Sequence, residues 1–150
     1  MRLTLMTDYA LRLLMHVAQQ APGQLCTSAE VAKLHGLSPA HVTKITHLLG
    51  RAGWLNTVRG KGGGMRLAKP AAEISLGAVV RGIETDFHIV ECFGAGNQCV
   101  LTGQCRLSGI LSQGLSNFLQ HLDGYTLADL LPTAGAGVVQ FMVMTKPVKR

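Results

Sequence analysis

Between Thr27 and Leu67 a run of local signals follows in close order, and that order leaves few folds open. Thr27-Ser28-Ala29-Glu30 is a capping box: the Thr27 hydroxyl can receive the Glu30 amide while the Glu30 carboxylate reaches back. A short helix with Val31, Ala32 and Leu34 follows, and Gly36 suits a left-handed C-terminal cap. Ser38-Pro39 opens a second helix, with Ser as N-cap and Pro at the first helical position. Val42, Ile45, Leu48, Leu49 and Ala52 form its buried stripe. Ala40, Lys44, His47 and Arg51 lie on the opposite side, with His41 and Thr43 close by. Trp54–Val58 and Met65–Leu67 then flank the glycine-rich Arg59–Gly64, which reads as a β-hairpin. Two short helices about a tight glycine turn, followed by a basic hairpin, predict a winged helix-turn-helix.

The flanking segments fit a mainly α chain. Met6, Ala10, Leu13, Leu14 and Val17 recur at helical spacing over residues 3–20. Leu76, Val79, Val80 and Ile83 mark another helix. Residues 86–105 lose all periodicity, and a loop this long inside a small domain usually carries function. A broad apolar stripe returns at Leu107, Ile110, Leu111, Leu115, Phe118, Leu119 and Leu122, and predicts a long helix. Thr126 to Leu131 reads as a short terminal helix. The expected organisation is a DNA-binding domain over 1–70, a loop and long helix over 71–131, and a mobile tail over 132–150.

The charge balance agrees with a polyanionic partner. Lys and Arg number 14 against 8 Asp and Glu, a net +6, and neutralised phosphates release counterions. The second helix would lie in the major groove of double-stranded DNA. Ser38, His41, Thr43, Lys44, His47 and Arg51 are its candidate contacts, with Lys44 foremost. The wing adds Arg59 and Lys61, and an Arg there suits the minor groove. No stretch is apolar enough for a signal or a membrane span, because Asp8, Arg12 and His16 interrupt the first one; a cytoplasmic location is expected. The six histidines form no acid–base set with a nucleophile, so no enzymatic activity is expected.

Cys92, Cys99 and Cys105 lie in the aperiodic loop, with six and then five residues between them. This is not the close CxxC pair of zinc ribbons. Three thiolates from one glycine-rich loop suit an iron–sulfur cluster. A zinc site completed by His88, or simple buried thiols, fit the same residues. Cys26, apart from the trio, reads as a small buried hydrophobe.

The opening Met1-Arg2-Leu3-Thr4 with Thr7–Arg12, the Val58–Gly64 hairpin, the cysteine loop with Cys105-Arg106-Leu107, and Leu122–Leu130 together resemble one family. It is the winged-helix iron–sulfur transcriptional regulators, and within it the nitric-oxide-sensing repressor (NsrR) branch; the resemblance covers about residues 1–131. The cluster-biogenesis branch places a His three residues after its third Cys, where this chain has Ser108. The resemblance implies a homodimer crossing through the long helix near 106–123 and reading an inverted-repeat operator. It implies a 4Fe–4S cluster on Cys92, Cys99 and Cys105, with Asp8 of the other subunit as fourth ligand and nitric oxide as effector. The first cysteine gap is longer than is usual for the family. A 2Fe–2S redox or cluster-status regulator is therefore the alternative, and a zinc-stabilised winged-helix interaction module a second one.

Overall fold

The structure, a computed structural model, describes residues 2–132. Helix α1 spans Leu5–Ala18 and starts where Thr4 Oγ1 accepts the Thr7 amide. It is shorter than the 3–20 expected, because the apolar stripe gives way at Gln19 and the Gln20 side chain bonds back to the His16 carbonyl at 3.0 Å. Thr7, Ala10, Leu13, Leu14 and Val17 form its buried face, at helical spacing.

Helices α2 (Ser28–His35) and α3 (Pro39–Arg51) follow. Both halves of the Thr27–Glu30 capping box are made, at 3.2 Å and 2.6 Å. Gly36 ends α2 at φ +63°, a conformation that disfavours any side chain. Val42, Ile45 and Leu49 are buried beneath α3, and Leu48 is half-buried. Ala52 departs from the expected stripe: it is the exposed C-cap, since the helix ends at Arg51.

Strands β1 (Leu55–Val58) and β2 (Gly64–Leu67) pair antiparallel, from Leu55 with Leu67 to Val58 with Gly64. Cys26 and Met65 exchange backbone hydrogen bonds of 2.9 and 2.8 Å, which fasten this hairpin to the chain before α2. The close approach explains Gly64, because a Cβ there would stand 2.7 Å from the Cys26 carbonyl oxygen.

Beyond the hairpin, a 3₁₀ turn at Ala71–Glu73 leads to α4 (Leu76–Ile83), capped by Ser75. Apart from one 3₁₀ turn at Glu91–Phe93, the 86–105 segment is irregular, as its lack of periodicity predicts. Helix α5 (Arg106–Asp123) packs on α4, where Arg81 and Asp123 form a two-pronged ion pair. The terminal helix is a 3₁₀ turn, Leu127–Leu130, with Thr126 bonded to Asp129.

One core joins these elements. Ala10, Leu13, Leu14, Val31, Ile45, Leu49, Met65, Ile74, Val79 and Leu127 are fully buried in a single cluster. Each Val, Leu, Ile or Met side chain among them contributes roughly 1.5–3 kcal/mol relative to exposure. Helix α5 stays outside this core. None of its residues is fully buried, and Leu107 and Ile110 are 58% and 67% exposed. Among the described residues no helix is long and apolar enough to cross a membrane. Apart from Pro132, the expected 132–150 tail lies outside the described residues.

Candidate nucleic-acid interface and cysteine loop

Because Val42, Ile45 and Leu49 turn one side of α3 into the core, helical geometry forces the other side outward. His41, Thr43, Lys44, His47 and Arg51 are all exposed. Thr43 Oγ1 donates to the Pro39 carbonyl at 2.9 Å, so its hydrogen is already used and its oxygen is left as an acceptor. Ser38 is the helix cap, accepting the His41 amide at 3.3 Å and lying 2.9 Å from His41 Nδ1. Arg59 and Lys61 are exposed at the wing tip, where Gly60 and Gly62 take φ +100° and +78° and tighten the turn. Among the described residues none of Lys44, Arg51, Arg59 and Lys61 is ion-paired with a carboxylate. These cations remain available to phosphates.

Sequence reasoning passed over Tyr9, whose ring packs on His41 with centroids 5.9 Å apart. No local spacing signals a contact between α1 and α3. It also passed over Arg12, which four-residue helical spacing from Asp8 does signal. Arg12 binds both Asp8 oxygens, at 3.0 and 2.9 Å.

Cys92 sits in the 3₁₀ turn, Cys99 in a turn held by Asn97 and Thr102, and Cys105 at the N-cap of α5. All three thiols are free and half-buried. Ser108 donates to the Cys105 carbonyl at 2.8 Å. Among the described residues no three His, Cys, Asp or Glu side chains are gathered closely enough to hold a metal ion. Asp8 belongs to its ion pair with Arg12, and His88 Nδ1 lies 3.7 Å from Asp86. As a donor set the thiols still suit a cluster: they are unpaired, they share one segment, and the side-chain hydrogen bonds described around Cys99 are local to it. Cys26 is separate. Burial pushes its thiol up to about 11, which fits a structural residue.

Between α1 and α2 the rings of His16 and His35 meet edge to face, with centroids 5.8 Å apart. Burial lowers the pKa of both. Among the described residues His35 Nε2 is buried without a hydrogen-bond partner.

The fold defines the winged helix-turn-helix class. The chain belongs to the Rrf2 family, described as iron-dependent transcriptional regulators, whose model matches residues 3–133. It is 45% identical to the HTH-type transcriptional regulator NsrR of Halalkalibacterium halodurans, over 87% of this chain and 90% of that protein. The relative of the same name from Geobacillus kaustophilus is 47% identical, with the same coverage. Among solved structures, oxidized Staphylococcus aureus CymR superposes with a TM-score of 0.71 at 23% identity, covering 89% of this chain and 98% of that one. T. potens IscR gives 0.67 at 21%, covering 87% and 85%. These two likenesses concern the fold. The chain is thus a transcriptional regulator of the helix-turn-helix type.

Proposed function

We propose that this regulator is a homodimeric repressor that binds an inverted-repeat operator, and that an iron–sulfur cluster, as 4Fe–4S, sets its operator affinity in response to nitric oxide. The observation that carries this reading is the trio of free, half-buried thiols between the winged helix and a long helix with exposed apolar residues. Relatives named NsrR support it.

Cys92, Cys99 and Cys105 would hold the cluster, with the partner subunit's Asp8 as the oxygen donor. When bound, the cluster supplies iron toward which nitric oxide is reactive. Oxygen is a harder ligand than thiolate, so Asp8 is the weakest tie. In the single chain Arg12 holds the Asp8 carboxylate, so ligation requires that ion pair to be given up. Because α1 packs against α3, a change in the hold on Asp8 bears on the recognition helix. Leu107 and Ile110 on α5 would be covered by the second copy.

The test is anaerobic reconstitution with iron and sulfide, then absorption spectroscopy and operator binding on the same samples. The expected result is a visible band lost in Cys105→Ser, tight binding by the reconstituted protein, and release by nitric oxide. Equal operator affinity in the cluster-bound, cluster-free and nitric-oxide-treated forms refutes the reading. A colourless, zinc-containing protein would point instead to the interaction module.

A further inference from the structure

Tyr9, one residue after Asp8 within α1, lays its ring against the His41 imidazole, centroids 5.9 Å apart and planes at 57°. That spacing and tilt belong to a favourable aromatic contact. His41 is the third residue of α3, at the helix end that carries base-contacting residues in helix-turn-helix proteins. Its other side is held by Ser38, whose Oγ accepts the His41 amide and lies 2.9 Å from Nδ1. An exposed histidine is otherwise free to sample several rotamers and both tautomers. Here a ring from α1 restricts the first freedom, and the cap hydroxyl bears on the second. Ser38 Oγ has one hydrogen and already receives the amide. Giving that hydrogen to Nδ1 satisfies both groups and leaves the ring proton on Nε2, for which the described residues offer no partner.

We propose that Tyr9 is a positioning residue and His41 a specificity-determining one: Tyr9 and Ser38 together hold His41 so that its Nε2–H is a single donor to a purine N7 in the major groove. Both purines present N7 as an acceptor there, so one donor reads purine against pyrimidine. The inference rests on the DNA-binding reading above. It adds a physical link, since the helix bearing Asp8 touches the reading end of α3 through this ring.

The wild-type protein first enriches its preferred duplex from a random-sequence pool. Fluorescence anisotropy then measures its affinity for that duplex with each purine in turn replaced by the 7-deaza analogue, which lacks the acceptor. Wild type is expected to lose about fivefold at one purine of each half-site, the scale of one hydrogen bond. His41→Ala is expected to be blind to that replacement. Tyr9→Leu, which keeps apolar bulk, should feel it less than wild type, and Tyr9→Phe should respond as wild type does. If Tyr9→Leu lowers the Tm, the exposed His41→Ala still decides whether N7 is read. Equal sensitivity of wild type and His41→Ala at every purine overturns the proposal. So does a Tyr9→Leu response identical to wild type. Failure of the wild type to enrich any sequence overturns the operator reading itself, and this inference with it.

Discussion

Replacing Lys61 by Gln tests the nucleic-acid face through a slope. Lys61 stands exposed between two glycines of positive φ at the wing tip, and among the described residues it pairs with no carboxylate. Each phosphate contact made on duplex DNA contributes about −0.9 to the slope of log K against log salt. Lys44, Arg51, Arg59 and Lys61 allow a dimer, with two copies of each, a limiting slope of about −7. Losing Lys61 makes the slope shallower by about 0.9 for one bound chain and by about 1.8 for a dimer. Over a fourfold rise in salt the dimer value amounts to about a twelvefold difference in how far affinity falls. The same measurement therefore reports the number of chains bound. Anisotropy titrations of a labelled duplex at several potassium chloride concentrations give the slope, with Arg106→Gln, outside the winged helix, as control. An unchanged slope for Lys61→Gln, or an equal change for Arg106→Gln, refutes the placement of the wing on phosphates.

Two further outcomes are expected. Gly64→Ala sets a Cβ against the Cys26 backbone, which cannot swing aside, and should destabilise the fold by about 1–3 kcal/mol in urea titration. Gly77→Ala meets only the movable ends of Asp123 and Arg81, so its effect should be smaller; the reverse order would contradict the geometry. Burial lowers the pKa of His16 and His35, so the unfolded chain binds protons more readily than the folded one. Their contribution is complete above the ordinary histidine value near 6.5 and is lost as pH falls through the lower folded values. The urea midpoint should drop between pH 7.5 and 5.5, and drop less in His35→Gln; an equal drop in both proteins would refute the assignment.

The start and stop of α2 and the start of α3 are legible in the sequence because each rests on residues within four positions. Thr27 caps with Glu30, Ser38 with the His41 amide, and Gly36 supplies its own backbone freedom. Helix ends set by fading apolar pattern are less sharp, which is why the α1 expectation runs to Gln20 and the α3 stripe to Ala52. Contacts between distant segments leave no local trace. The Cys26–Met65 bridge, Tyr9 on His41 and Arg81 on Asp123 depend on packing, and no period announces them. The cysteines are legible as a spacing. Their convergence is not, because the bonds around Asn97, Cys99 and Thr102 shape single turns and tie no thiol to another.

Leu127 lies fully buried against a core that begins at Ala10, and its amide bonds to the Ile74 carbonyl at 2.8 Å. A ribosome releases this chain from its amino end, so the helix-turn-helix emerges while a part of its own interior is still unmade. Its core closes only after the cysteine loop and α5 have been synthesised. A message cut short in α5 therefore yields a chain with a gap in its core where Leu127 belongs, open to proteolysis, rather than a finished DNA reader lacking only its long helix. The order of burial leaves the reading head incomplete until Leu127 is made, although the head itself is translated before the cysteine loop.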